Sequence, residues 1–522
     1  MKTWGSSLVF LAATMLTGFV ITPWILRLLG ADQFGLARTL TESFGYMTLV
    51  AQGITVAMVP LLASAIGRGD RDSLHRTLAA AFRVYFLAAI AFVLVGLALM
   101  PVLGRMLRVI PAFRPEMRVA WLICLVGVPL TALAPMKVLV DVAHKGYVSN
   151  MLLGVQAILA AGLSVVLVWA GLGIVGLMLA MLISSLTYNV ALTMVALRLN
   201  PGLLAATSAA RPSRADWTAL LALSGPTMLT MLADRIGVLS DSIVLTSVLG
   251  AAFATRLFLT QRLVSLGQLM LFGISGSIWP SLAEMHARGE REGFNIRLIE
   301  VTRLVAVMGV AGLAPVLAYN PHFIARWVGP ANDGGRLVVL VAAAIAILQG
   351  ILQIYASALV STGHVGRLAK MAAISAVMNL ILSVLLTYWL GLIGPILGTL
   401  LACAGVQLWY LPLQLRQVFG TPLRKLFRAA LVPIVFGISY ALGLIALADS
   451  HTPPNWFALL GEMGAASLAF LVFAYLVILG PGDRHLWNAR LFTPLRKRWS
   501  RSQPDPTGVD LPPPGMGSPL GP

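Results

Sequence analysis

Charged side chains are scarce in this sequence. Asp, Glu, Lys and Arg make up 11% of its 522 residues, while hydrophobic residues make up 58%. Soluble proteins contain about 25% charged and about 45–50% apolar residues, so the composition excludes an ordinary soluble protein. It also excludes a disordered chain, because such chains hold too few apolar residues to bury a core. The sequence therefore indicates a membrane protein.

Cysteine is nearly absent. The two cysteines, Cys124 and Cys403, both lie inside apolar runs. Two residues in that setting give neither a disulfide framework nor the ligand spacing of a metal site. We therefore expect no metal centre and no cofactor.

Long apolar runs are what the sequence has in abundance. A run of about 20 apolar residues is long enough to cross the hydrocarbon core of a bilayer as a helix. We predict an all-α polytopic membrane protein with about fourteen transmembrane helices. The runs lie at residues 8–28, 40–62, 78–100, 119–139, 149–170, 174–197, 218–248, 257–282, 299–319, 337–360, 371–390, 392–414, 428–447 and 457–480.

Acidic residues are much rarer than basic ones: 19 Asp and Glu stand against 37 Lys and Arg, a formal net charge of +18. Cytoplasmic loops of membrane proteins carry an excess of Lys and Arg. With the N-terminus inside, about 25 basic residues lie on the cytoplasmic side and about 9 outside. We therefore expect both termini in the cytoplasm. The outside loop that holds Arg105, Arg108, Arg114 and Arg118 runs against this trend.

The chain repeats itself at a shift of 220 residues. Gly30 matches Gly250, and the charged turn at residues 69–72 matches the turn at residues 289–292. Six predicted spans separate each residue from its mate, and six is even, so both copies cross the bilayer in the same direction. Parallel repeats of this kind form the two halves of many transporters, with the substrate site at the interface between the repeats.

The repeat divides the chain into four parts. We predict an N-terminal six-helix lobe at residues 1–200, a second six-helix lobe at residues 215–417, and helices thirteen and fourteen at residues 425–482. Residues 483–522 are first basic and then rich in Pro and Gly. Such a composition cannot bury a core, so we predict a disordered cytoplasmic tail there.

Short motifs in both halves resemble a known family. They are Thr22-Pro23, Arg27-Leu28-Leu29-Gly30, Phe34-Gly35-Leu36 and Gly67-Arg68-Gly69-Asp70 in the first half, and Asp241 to Gly250, Gln261-Arg262-Leu263 and Trp279-Pro280-Ser281-Leu282 in the second. Together with the number of spans, they resemble the polysaccharide and oligosaccharide flippases of the multidrug/oligosaccharidyl-lipid/polysaccharide exporter superfamily.

The resemblance implies a transporter and not an enzyme. It implies that the protein flips a polyprenyl-pyrophosphate-linked oligosaccharide across the bacterial cytoplasmic (inner) membrane by alternating access, for the biosynthesis and export of a surface polysaccharide. The implied partners are the polyprenyl-linked glycan, membrane lipids and other membrane proteins of polysaccharide assembly. No nucleic acid is expected.

Polar residues inside the spans are the candidates for substrate binding. An ionisable side chain in a span costs roughly 2.5–3.5 kcal/mol on insertion scales, so it should face a cavity or a partner. Guanidinium groups match the oxygens of a pyrophosphate, and amides add hydrogen bonds. The candidates are Arg27, Arg38, Arg256, Arg262, Gln52, Gln261, Gln268, Gln349 and Gln353.

Arg262 is the strongest of these candidates. It lies deepest in its predicted span, and the resemblance places an arginine of the family in this helix. Structural roles stay open for the others: Arg38 and Glu42 can form an i,i+4 pair, and Arg256 can extend to the lipid head groups. The glutamines can equally hold neighbouring helices together.

Asp234 and Asp241 are candidates for ion coupling. They lie two turns apart, about 10 Å along a helix. A carboxylate in a cavity can change its protonation state as the site opens and closes, or bind Na⁺. We predict that one of the two couples transport to a gradient of Na⁺ or H⁺. The structural alternative is a fixed counter-charge to Arg235 or Arg262.

Three other functions fit parts of the pattern. A cation-coupled multidrug antiporter of the same superfamily usually has twelve spans and an acidic cavity. A peptidoglycan-precursor (lipid II) flippase shares the fourteen spans, but carries an adjacent Arg-Asp pair in its first helix where this chain has Arg27-Leu28. A membrane glycan polymerase or ligase is disfavoured, because the sequence presents no nucleophile–base or metal constellation.

Overall fold

The protein is helical throughout the part of the chain that the computed structural model describes, residues 2–362, 365–480 and 484. Seventeen α-helices follow one another there, several of them joined by short 3₁₀ or π segments. Their bounds are α1 (Lys2–Gly67), α2 (Arg71–Met106), α3 (Arg114–Gly127), α4 (Ala134–Val140), α5 (Gly146–Leu167), α6 (Gly173–Leu199), α7 (Leu203–Ala209), α8 (Arg214–Val248), α9 (Ala251–Thr260), α10 (Arg262–Ala287), α11 (Arg291–Trp327), α12 (Arg336–Ser361), α13 (Val365–Leu390), α14 (Gly394–Ala402), α15 (Leu408–Phe419), α16 (Leu423–Ser450) and α17 (Trp456–Phe473).

The apolar runs of the sequence lie on these helices. By length and composition, nine segments of the described residues can cross a membrane. Two of these segments hold several predicted spans, because the chain stays helical between them: Pro111–Leu199 holds three and Gly366–Phe419 holds two. The all-α fold of a multi-pass membrane protein is confirmed, and the helix count agrees roughly with the prediction. The tail predicted at residues 483–522 lies outside the described residues, except for residue 484.

The two copies of the repeat break their helices at matching glycines. Gly30 interrupts α1 with a φ of 76°, and its mate Gly250 has a φ of 111° between α8 and α9. Glycine adopts positive φ without the steric cost that other residues meet. The repeat is therefore visible in the backbone as well as in the sequence, while the four-part division of the chain stays a prediction. The other matching pairs with positive φ are Gly69 with Gly289 and Gly171 with Gly391.

Gly30 divides α1 into a first arm, residues 2–29, and a second arm, residues 31–67. We call the side of the molecule where this break lies the Gly30 end, and the opposite side, where α1 turns into α2, the Asp70 end. Large aromatic side chains project near the Gly30 end: Trp169 and its repeat mate Trp389 are 78% and 82% exposed. Tryptophan is enriched where helices meet the membrane–water interface, so this end lies at one face of the bilayer.

Apolar cores fill both halves of the chain. In the first half, residues 2–199, one core contains Met58 and Leu78 and another contains Leu40 and Trp121. In the second half, residues 214–419, two cores centre on α10, α11 and α12, and one of them also includes Leu26 of α1 and residues of α16 and α17. Helix α8 packs on α13 within the second half and on α1 of the first half. It therefore forms much of the interface between the halves.

Helices α16 and α17 dock on α11. The approach is close at Gly437, where an added Cβ would lie 2.5 Å from the side chain of Val310. The Tyr440 hydroxyl joins α16 to α17 by donating to the Ala466 carbonyl over 2.6 Å. In the connection between these helices, a hydrogen bond to Glu462 raises the pKa of the His451 imidazole.

Candidate functional site between the two halves

The two halves touch closely at the Gly30 end. Thr39 on the second arm of α1 and Thr246 on α8 are fully buried, and their hydroxyl oxygens lie 2.7 Å apart. Gly35 packs directly on the backbone of α9, because a Cβ added there would lie 1.9 Å from the Ala251 carbonyl oxygen. The interface between the halves is therefore closed at this end.

Further hydrogen bonds cross the same part of the interface. They run from the Thr255 hydroxyl to the Ala31 carbonyl (2.6 Å), from the Trp327 indole to the Phe19 carbonyl (2.8 Å), and from the Arg108 guanidinium to the Val248 carbonyl (2.7 Å). The last of these satisfies a carbonyl at the C-terminus of α8, where carbonyls lack a partner within the helix. Arg108, in the loop predicted to lie outside, thus connects the two halves.

Arg262 begins α10 at the break that Gln261 makes with α9, and it reaches from the second half to the first arm of α1. Its guanidinium carbon lies 5.3 Å from the ring centre of Phe19 and 5.6 Å from that of Phe258. Its Nη2 is so close to Gly18 that an added Cβ would lie 2.5 Å away. Its Nε is buried without a hydrogen-bond partner, and within the described residues no carboxylate pairs with it. Arg262 is therefore a half-buried positive charge between the halves, with no counter-charge among the side chains that the structure describes.

Arg38 lies beside Arg262, on the second arm of α1. Its guanidinium carbon is 4.0 Å from the ring centre of Phe258, so one ring contacts both cations. Its Nε is 2.7 Å from Oε1 of Glu42. The i,i+4 ion pair of Arg38 and Glu42 that the sequence allows is thus formed, and it lies beside Arg262.

One of the two acidic candidates, Asp241, lies near the Arg38–Glu42 pair. Asp241 on α8 has a buried Oδ1 without a hydrogen-bond partner and lies close enough to Glu42 for their charges to interact. Asp234 lies on the same helix, but its side chain is outside the described part of the chain.

Of the remaining candidates, Gln261 directly precedes Arg262 at the start of α10. Arg27 and Arg256 are exposed, and Arg256 contacts only Phe253 among the aromatic rings of the described residues, at 5.7 Å. Gln353 is exposed as well. Gln52 lines a cavity inside the first half. Of the predicted arginines, the structure brings together Arg38 and Arg262.

Gln268 and Gln349 form a pair inside the second half. The Gln268 amide donates to Gln349 over 2.6 Å, and Gln349 in turn lies 3.5 Å from the sulfur of Cys403. These bonds connect α10, α12 and the segment before α15. In this structure the two glutamines hold helices together.

Three residues of the site were not named as candidates from the sequence. Phe258 precedes Arg262 by four residues, and i,i+4 neighbours share a helix face, so that spacing carried a signal. Glu42 was considered only as a structural partner of Arg38. Nothing in the sequence signals Phe19, because it approaches Arg262 from another helix.

Among the described residues, the first half contains cavities on its own side of the interface. One of about 240 Å³ is lined by Gln52, Thr55, Lys137 and Tyr188, among others. The second, of about 390 Å³, is lined by Lys137, Asp141, His144, Gly146 and Asn150. The Lys137 ammonium is 2.6 Å from Asp141 in an ion pair, so this cation already has its counter-charge. No group of three or more His, Cys, Asp or Glu side chains that could hold a metal ion occurs among the residues described.

Residues 1–286, more than half of the chain, match the family described as "Polysaccharide biosynthesis protein". This chain belongs to that family. The resemblance drawn from the sequence motifs is confirmed. No curated protein matches the sequence.

Solved transporters share the fold. The structure is similar to a lipid II flippase MurJ in an inward closed conformation, at 15% identity and a TM-score of 0.66, covering 92% of this chain and 99% of that one. It is similar to a multidrug resistance MATE family transporter of the MOP superfamily in an inward-facing conformation, at 14% identity and a TM-score of 0.62, covering 84% and 98%. It is also similar to a MATE in complex with MaD3S, at 15% identity and a TM-score of 0.55, covering 78% of this chain and 94% of that one.

Proposed function

We propose that this protein flips a polyprenyl-pyrophosphate-linked oligosaccharide across the bacterial cytoplasmic membrane by alternating access, as a step in the synthesis and export of a surface polysaccharide. Membership of the polysaccharide biosynthesis family and the many apolar helices support this function. The protein then acts as a transporter and not as an enzyme. Its partners are the glycolipid, the surrounding lipids and other membrane proteins of polysaccharide assembly.

The observation that carries the proposal is the unpaired guanidinium of Arg262. A cation inside the membrane normally pairs with another charged group or faces a water-filled cavity. Arg262 has no carboxylate partner within the described residues, and Arg38 beside it adds a second positive charge. Guanidinium groups bind phosphate oxygens in a fork geometry. A diphosphate that joins a sugar to a polyprenyl chain supplies the missing negative charge at this site.

The closed Gly30 end suggests from which side the head group enters. If the basic loops lie in the cytoplasm, both termini and the Asp70 end are cytoplasmic. The hydrogen bonds at the Gly30 end then close the outer side, so the head group reaches Arg262 from the cytoplasmic leaflet while its polyprenyl tail stays in lipid. Separation of the halves at the Gly30 end releases the head group outside.

Ion coupling is part of the same proposal. A carboxylate on α8, Asp241 or Asp234, takes up Na⁺ or H⁺ and so connects transport to an ion gradient. The buried and unpartnered Oδ1 of Asp241 supports this role.

The test is deletion of the gene in its own bacterium. We expect a polyprenyl-linked glycan to accumulate on the inner leaflet, because its synthesis continues while its export stops. Return of the intact gene should clear the accumulated lipid. Accumulation of the peptidoglycan precursor would instead support the lipid II flippase, and sensitivity to a cytotoxic cation with normal glycolipids would support the antiporter.

A further inference from the structure

Two buried carboxylates face each other where the halves meet. Glu42 lies on the second arm of α1 and Asp241 on α8, one from each half. The Glu42 side chain is 6% exposed. Its Oε2 and the Oδ1 of Asp241 are both buried without a hydrogen-bond partner among the described residues. Each of the two acids therefore presents a bare oxygen to the interior of the interface.

The charges at this place do not balance. The carboxylates of Glu42 and Asp241 lie close enough to interact. Within the described residues, Arg38 pairs with Glu42 through Oε1, and no cation pairs with Asp241. Two like charges repel strongly in a medium of low dielectric constant, and an isolated buried carboxylate is too costly to stay ionised. Among the described residues, Asp241 is thus left without a cation partner of its own.

Neutral oxygen groups surround the same carboxylates. The Ser242 hydroxyl lies beside Glu42, and the Tyr46 hydroxyl lies near both Glu42 and Asp241. The other titratable and charged groups near Glu42 among the described residues are Arg38 and Tyr46 on α1 and Asp241 on α8, with Arg262 of α10 next to Arg38. Carboxylate and hydroxyl oxygens are the ligands that hard cations prefer.

We propose that Glu42 and Asp241 together hold one monovalent cation, Na⁺ or a proton, and that this cation bridges the two halves and stabilises the closed Gly30 end. Glu42 is thereby assigned a binding role beyond its pairing with Arg38. Because the two acids come from different halves, separation of the halves at this end takes the site apart. A cation can bind with full affinity only when the end is closed, so binding must favour closure by the same factor.

The bridge gives the cation a place in the transport cycle, and this step rests on the proposed function. After the glycolipid leaves at the Gly30 end, an external cation binds between Glu42 and Asp241 and stabilises closure of that end. The site of Arg262 and Arg38 then becomes accessible from the Asp70 end. Release of the cation there completes exchange of an inward-moving cation for an outward-moving glycolipid. The gradient would then drive the return step and not the export step.

The experiment measures closure without any glycolipid, so its failure is distinct from failure of the proposed function. Spin labels are placed at two exposed positions near the Gly30 end, Met106→Cys and Leu337→Cys, on the full-length protein in lipid nanodiscs. Their distance distribution is measured by double electron–electron resonance in Na⁺ or K⁺ buffers of equal ionic strength, each acidic or alkaline. We expect Na⁺ or acid to raise the ratio of closed to open molecules by about fivefold or more.

The variants identify the site. Glu42→Gln and Asp241→Asn keep the side-chain size and should remove the response, while the matched control Glu284→Gln, an exposed acid paired with Arg288 on α10, should retain it. A response to Na⁺ at fixed pH identifies Na⁺, and a response to pH in K⁺ identifies the proton. The proposal is contradicted if neither Na⁺ nor pH changes the ratio of closed to open molecules in the spin-labelled protein with native Glu42 and Asp241. It is equally contradicted if Glu42→Gln and Asp241→Asn respond to the ions as that protein does.

Discussion

Arg262 and Arg38 lie over one ring, at 5.6 and 4.0 Å from the centre of Phe258. A cation–π contact contributes about 0.5–1 kcal/mol at exposed sites and about 2 kcal/mol when desolvated. The insertion cost of an arginine in a span is about 2.5–3.5 kcal/mol. The ring therefore offsets part of the insertion cost of each arginine, but it does not reduce the repulsion between the two guanidinium groups. An anionic ligand would reduce both the remaining insertion cost and this repulsion, which is why we place the diphosphate here.

Closure of the Gly30 end depends on the missing side chain of Gly35. Gly35→Ala should weaken closure, because the new Cβ would have to displace the Ala251 carbonyl, 1.9 Å away. Closure can be measured as disulfide formation between Thr39→Cys and Thr246→Cys, whose native hydroxyls are 2.7 Å apart. We expect the yield to fall several-fold.

Gly276→Ala is the matched control for this glycine. Gly276 lies inside α10 and has open space around it, so the alanine should leave the crosslinking yield unchanged. Equal yields in Gly35→Ala and the control would show that the contact with Ala251 does not govern closure.

Sequence reasoning went furthest for residues whose chemistry is unusual in a membrane. Arg262 could be singled out because a lone arginine in an apolar run needs a partner. The glutamines could not be sorted in the same way, because Gln268 and Gln349 differ from cavity residues only in the helix faces that their backbones present. Glu42 was visible four residues after Arg38, but its position opposite Asp241 depends on how two distant helices pack.

At the scale of helices, α16 and α17 are held by their fit to α11. Gly437 lets α16 approach Val310 closely, and Arg336 at the start of α12 forms an ion pair with Asp449 near the end of α16, 2.7 Å between Nη1 and Oδ2. The pair lies in an exposed setting, where ion pairs contribute little to stability. Apolar packing along α11 is therefore the main source of attachment.

Substitution of Gly437 tests this packing. Gly437→Ala should destabilise the docked helix by about 1–3 kcal/mol, the usual cost of an overpacked core. The measurement is thermal unfolding of the detergent-solubilised protein. Gly443→Ala on the same helix has no atom within 4 Å of its new Cβ and serves as the control. A stability of Gly437→Ala equal to that of the control would mean that α16 is not packed tightly on α11.

The helices themselves were predictable because a span must be long and apolar. The sequence did not predict that several spans would join into one continuous helical segment. The segment Pro111–Leu199 runs through three predicted spans by way of short 3₁₀ and π segments. Such segments leave no period in the hydrophobic pattern, so the sequence indicates a turn and gives no geometry for it. Gly171 and Gly391 were matched by the repeat, yet their positive φ became known only from the structure.

At the scale of the whole molecule, the interface joins helices that the repeat predicts to be equivalent. The closed contacts of Gly35 with Ala251 and of Thr39 with Thr246 lie between α1 and the pair α8 and α9. Closed interfaces of this kind are two-state elements, because packed surfaces do not deform continuously. Alternating access then follows from opening one end while the other closes, with Arg262 between them.

The most direct measurement is transport by the purified protein in liposomes that contain a fluorescent polyprenyl-diphosphate glycan, with a membrane-impermeant quencher outside. The intact protein should make the fluorophore accessible at both leaflets. Arg262→Ala should slow this exchange by about tenfold or more, since hydrogen bonds to charged groups contribute about 1.5–3 kcal/mol. Arg288→Ala, an exposed arginine paired with Glu284, should transport normally. Transport by Arg262→Ala at the rate of the intact protein would contradict a head-group site built on this guanidinium.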